Sequence, residues 1–171
     1  METTVTEALQ ELKTIQKRIQ SKRDGILQYT TRSGDKVDPL QKEAGGSKGW
    51  IDRELQAIRD LQTRFVRLRT AILLSNLQTE LELHGDKRTI AEWLVWRREQ
   101  QRDEGQFLQG IGQSIGRARN RSYVGEDKEP DVVVNVDEGQ LMEDAEKFVQ
   151  LSSDLDGKLS LLNATTTIEV E

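Results

Sequence analysis

The chain has 171 residues, a formal net charge of −5, 35% hydrophobic and 32% charged residues, and no cysteine. That is one domain's worth of sequence, with disulfides and thiolate metal sites excluded and no basic excess of the kind that phosphate contact requires. No apolar run approaches the ~20 residues of a membrane-spanning helix, and Glu2 puts an acid where a signal peptide carries basic residues, so a soluble, unexported protein is expected.

The first helix is predicted over 5–28. Thr4 and Glu7 form a capping box, and Val5, Ala8, Leu12, Ile15, Ile19, Lys22 and Ile26 recur at three- and four-residue spacings, the inward heptad positions with one lysine among them. Residues 29–49 carry Gly34, Pro39, Gly45, Gly46 and Gly49, a turn-rich connection long enough to be either mobile or held by a partner. A second helix over 50–76, about 40 Å long at 1.5 Å per residue, places Ile51, Ile58, Phe65 and Ile72 at one heptad position. Glu54, Leu61, Leu68 and Ser75 take the other, and Leu55 widens the stripe. Two long helices joined by a loop hide their stripes most simply as an antiparallel hairpin.

Leu81 and Leu83 alternate with Glu80, Glu82 and His84, which predicts a half-buried strand over 79–84 ended by a Gly-Asp turn. Thr89 and Glu92 form a second capping box, opening a helix over 90–116 that carries Trp93, Leu94 and Trp96. Its periodicity fails over 97–106 and resumes with Phe107, Leu108, Ile111 and Ile115. Gly105, Gly110, Gly112 and Gly116 each weaken a helix by about 1 kcal/mol relative to alanine, so this helix is expected to be bent or broken. Residues 117–131 form a loop that swings from basic to acidic, followed by a valine strand over 132–136. Asp137 caps a helix over 138–162 with the stripe Leu141, Ala145, Phe148, Ser152, Leu155, Leu159 and Leu162, and 165–170 is a last strand. The fold class is mainly α: one domain, 1–171, a long antiparallel helical hairpin or bundle with heptad seams. Its three short strands are expected to form one small antiparallel sheet at an end of the helices, or to pair with another copy.

The order E-A-L-Q-E-L-K-T-I-Q-K-R-I, S-N-L-Q-T-E-L-E-L-H-G-D-K-R-T-I-A-E-W-L, V-V-V-N-V-D and L-N-A-T-T-T-I-E-V resembles the septicolysin-like family of small helical bacterial proteins. The resemblance covers most of the chain and is weakest over 29–49 and in the Gly-rich half of the third helix. It implies a long helical hairpin with extra helices and a small sheet, and it brings no catalytic residues. The family label suggests pore formation, for which the chain carries no membrane-inserting segment.

His84, the lone histidine, reads as a surface or loop residue ahead of a ligand or base. Glu126, Asp127, Glu129 and Asp131 lack the spacing and central glycine of a calcium loop and read as a solvated linker. Gly110–Gly116 is not a dinucleotide fingerprint, since no strand feeds it. Arg64, Arg67 and Arg69, with Arg117, Arg119 and Arg121, read as solvated faces with helical partners. Glu54 and Ser75 are expected near open ends of the seam. Trp93 and Trp96 share one helix face, with packing onto the hairpin as the default and a subunit contact as the leading exposed role.

No catalytic, cofactor or metal residue is assigned. Three heptad stripes exceed what one hairpin buries, so the chain is expected to be a non-enzymatic structural or assembly protein forming a homo-oligomer. Its interface candidates are Trp93, Trp96, Phe65, Phe107, Ile111, Ile115 and Val134. The expected setting is a phage head, neck or tail accessory component, located in the virion or cytoplasm. The expected partners are further copies and other structural proteins, with neither membrane nor nucleic acid. The alternatives are a helical regulator or assembly chaperone, and a metal-dependent hydrolase built from His84 and the acids of 126–131.

Overall fold

The computed structural model describes residues 2–122 and 132–170, apart from the side chains of residues 121 and 122. In chain order the elements are β1 (Glu2–Thr4), α1 (Val5–Tyr29), α2 (Gly46–Gln78), β2 (Glu80–Leu83), β3 (Asp86–Thr89), α3 (Ile90–Glu99), α4 (Gln101–Ser122), α5 (Glu138–Thr165) and β4 (Thr167–Glu169). The fold is mainly α. The chain divides into two compact units, Met1–Ser75 with Leu162–Glu171, and Asn76–Leu161.

The first unit is built on α1 and α2. Helix α1 starts at a complete capping box, with the Glu7 amide donating to the Thr4 hydroxyl and the Glu7 carboxylate accepting from the Thr4 amide. The two helices run antiparallel, because partners on α2 descend in number as those on α1 rise: Glu11 meets Arg64, Lys22 meets Glu54, and Gly25 lies against Trp50. Val5, Ala8, Leu12 and Ile15 are buried with Leu68, Ile72, Ile168 and Val170 in one core, onto which Ile19, Leu61 and Phe65 pack. Each fully buried aliphatic side chain is worth about 1.5–3 kcal/mol. β1 and β4 close this end as an antiparallel pair, Thr3 opposite Ile168, continued by the Val5 amide donating to the Thr166 carbonyl.

The connection between α1 and α2 is tied down by the chain itself. Asp38 accepts from the Leu40 and Ser47 amides at 2.9 Å each and from the Ser47 hydroxyl, and so satisfies an N-terminal amide of α2. Arg53 donates to the Ala44 carbonyl at 2.8 Å and pairs with Glu43. These contacts start α2 at Gly46, four residues ahead of the predicted start, with Gly45 and Gly46 in the left-handed region at φ 80° and 59°. Leu55 is exposed and does not widen the seam.

The second unit opens with a hairpin that the sequence shows only in half. β2 pairs antiparallel with β3 through the two-residue turn His84–Gly85, both residues at positive φ, 51° and 84°, as a tight hairpin turn requires. The buried side chains of this unit are Leu81, Leu83, Ile90, Trp93, Leu155 and Leu159. The expected single sheet is instead two separate pairs, β1–β4 and β2–β3, both formed within the chain. Residues 132–136 belong to no strand, since no described neighbour supplies a ladder for them.

The third predicted helix is broken, as its pattern suggests, but at Gln100 rather than among its glycines. Gln100 sits at φ −114°, ψ −35°, while α4 runs unbroken through Gly105, Gly110, Gly112 and Gly116 and continues over 117–122, where a loop is predicted. α3–α4 and α5 are antiparallel: Arg97 pairs with Asp156, Gly105 lies against Phe148, and Arg119 pairs with Glu138. Asp137 accepts from the Gln140 amide at 3.0 Å and caps α5, which extends to Thr165 and shortens the last strand to Thr167–Glu169.

Candidate interaction surfaces

The charged residues inside the predicted seams explain one another. Lys22 of α1 and Glu54 of α2 pair at 2.7 Å, with side chains 29% and 20% exposed. Glu54 therefore answers a lysine on the facing helix, and its position reflects that partner rather than an open seam end. About three helical turns further toward the core, Arg64 holds Glu11 through two bonds of 2.9 and 3.3 Å, which raise the Arg64 guanidinium above its usual range.

Three further arginines of the two basic clusters have local partners. Arg69 lies 5.8 Å from the centre of the Phe65 ring, Arg117 donates to the Gln113 carbonyl, and Arg119 grips Glu138 at 2.6 and 3.0 Å. Arg121 has its side chain outside the described residues, as do the acids Glu126, Asp127, Glu129 and Asp131.

His84 sits on the hairpin turn with Nε2 2.8 Å from an Asp154 oxygen, and Gln150 donates to the other oxygen of the same carboxylate. Both bonds hold the Asp154 carboxyl below its ordinary pKa, the one from His84 first. The pair pins β2–β3 to α5. Among the described residues no three acids or histidines gather as a metal site would need; the acids of 126–131 that the hydrolase reading needs lie outside those residues.

The seven interface candidates fall into five environments. Trp93 is 1% exposed, with its indole N–H donating to the Leu81 carbonyl at 3.0 Å and Arg88 stacked 4.8 Å above the ring. It is core of the second unit and has no surface to offer a partner. Trp96 stands edge-on to Trp93 at 5.7 Å and leans on Phe148 at 5.9 Å, half-buried. Phe65 packs on the first unit's core. Phe107 is 63% exposed. Ile111, Ile115 and Val134 do come together, lining a groove of about 280 Å³ along α4.

Two features escape the sequence reading. Helix α2 has a second apolar face: Val66, Leu73 and Leu74, seven and one residues apart, are 61%, 56% and 53% exposed, pointing away from the α1 seam. Their spacing is as helical as that of the seam, but a single scan for the strongest stripe absorbs only one face. The other is a cleft of about 650 Å³ at the α3–α4 break, walled by Trp96, Phe107 and Phe148 and edged by Glu99, Asp103 and Glu104.

The crystal structure of a functionally unknown conserved protein from Corynebacterium diphtheriae shares this fold at a TM-score of 0.62, with 18% identity over 99% of this chain and 100% of that one. No family model and no curated protein matches the sequence.

Proposed function

We propose that the chain is a non-enzymatic structural or assembly protein that associates with further copies of itself. The observation that carries the proposal is the second face of α2. One side of the helix is occupied by α1, while Val66, Leu73 and Leu74 lie in water on another, and Val66 and Leu74 line a cleft of about 450 Å³ together with Arg67, Thr70, Ala71, Glu169 and Val170. Contiguous apolar surface on a rigid helix marks an interaction site more often than scattered single residues do. The same face on a second copy offers a self-complementary partner, and a two-fold pairing closes without leaving a free end. The proposal rests on self-association and not on a virion setting.

Light scattering across a concentration series tests it. The wild-type chain is expected to show a mass above one copy, and Val66→Glu with Leu73→Glu to shift it to one copy while leaving the helical circular dichroism intact. A wild-type protein that stays at single-copy mass at high concentration would overturn the proposal.

A further inference from the structure

We propose that the cleft at the α3–α4 break docks a cationic segment of a partner protein, one that presents lysine or arginine beside an aliphatic or aromatic anchor. This goes beyond self-association and uses a different surface, wholly within the second unit.

The break at Gln100 supplies the shape. Its amide donates to the Trp96 carbonyl, and its own carbonyl accepts from the Glu104 amide, so two backbone bonds bridge the turn between the helices. Trp96 from α3, Phe107 from α4 and Phe148 from α5 then wall one cleft. Phe107 is 63% exposed, an open wall rather than the lid of a closed cage, and an aromatic ring left this far in water gains most from a partner surface that covers it.

The charge is of one sign. Among the described residues, Glu99, Asp103 and Glu104 line the cleft and no basic residue does. Arg98 pairs with Glu99 at 2.7 Å, and among the described residues neither Asp103 nor Glu104 has a side-chain hydrogen bond or ion pair. The neighbouring cations are committed elsewhere, Arg97 to Asp156 and Lys147 to Glu143, while Arg102, beside Asp103 in sequence, does not line the cleft. Carboxylates at the edge of an apolar wall attract cations and repel phosphate, and aromatic lining such as Trp96 and Phe107 suits a guanidinium or ammonium group, which aromatic rings attract. Nucleic acid and anionic membrane are disfavoured by the same sign of charge.

The probe is a synthetic peptide of alternating arginine and leucine, titrated into the intact chain by calorimetry and tryptophan fluorescence at low salt, with a glutamate and leucine peptide as control. Binding by the arginine peptide alone is expected. The triple variant Glu99→Gln, Asp103→Asn, Glu104→Gln should weaken it at least ~10-fold, about 1.4 kcal/mol. Phe107→Ala should weaken it comparably. All four positions are exposed, so unchanged thermal melts confirm that the variants fold. Absence of binding, equal binding of the control peptide, or equal binding by either variant would each overturn the proposal. So would a fall in mass caused by Phe107→Ala without peptide, which would give this face to a second copy.

Discussion

The Lys22–Glu54 pair offers a sharp test of how the helical hairpin is specified. Both residues occupy positions where the heptads call for apolar side chains, at 2.7 Å and with roughly a quarter of each side chain in water. Exposed pairs contribute about 0.2–1 kcal/mol, and breaking a fully buried pair costs about 3–5 kcal/mol. At this intermediate burial, Lys22→Leu, which strands Glu54 in the seam, is expected to cost about 1–2 kcal/mol. Glu54→Leu is expected to cost less, since the lysine stem reaches water and carries its charge out. The double leucine variant restores a continuous seam and should equal or exceed the wild type, because each leucine gains about 1–2 kcal/mol of burial at partial exposure. Urea unfolding followed by circular dichroism reads all four proteins, and the cycle gives the coupling energy. A double variant no more stable than Lys22→Leu alone would refute the idea that the pair occupies seam positions in place of apolar contact.

Three further outcomes follow from the structure. Trp93→Phe keeps most of the ring but removes the indole bond to the Leu81 carbonyl, and is expected to cost about 1–3 kcal/mol, read as a lowered Tm; an unchanged Tm would show that bond to be idle. Among the described residues, Gly110 and Gly116 of α4 have no neighbour beyond their own helix backbone within 4 Å of where a Cβ would stand, so Gly110→Ala and Gly116→Ala should each stabilise by up to about 1 kcal/mol in the same denaturant assay. The Ser47 and Leu40 bonds hold the Asp38 carboxyl at about 2, below its ordinary 3.8. A depressed carboxylate contributes stability above the unfolded pKa and loses it as pH falls through the folded one, so the Leu40 and Ser47 amides should lose exchange protection between about pH 4 and pH 2. In Asp38→Asn that protection should no longer depend on pH over this window.

Long periodic elements were legible because burial writes the same residue type many times. The seams of α1, α2 and α5 and both threonine capping boxes follow directly from the sequence, and the buried set Val5, Ala8, Leu12, Ile15, Leu68 and Ile72 is the heptad read aloud. Short polar elements were not. β1 is E-T-T and β3 is D-K-R-T, without enough alternation to stand apart from a turn or a cap, although His84–Gly85 between β2 and β3 is a two-residue hairpin signal in retrospect. The valines of 132–136 have strong strand preference, but preference cannot supply a partner strand. The interaction surfaces were harder still. Phe107 and Trp96 are visible as aromatics, yet nothing in their spacing places Phe148 from α5 against them.

The β1–β4 pairing has a kinetic consequence. Thr3 opposite Ile168 joins stretches with nearly the whole polypeptide strung between them, and closing so long a span carries the largest configurational penalty in the molecule. The α1–α2 zipper can grow outward from its own short connection, whereas this clasp waits for distant segments to meet. It should therefore fasten last and release first, and a covalent bridge between its two strands would act as a brake on the molecule's unravelling.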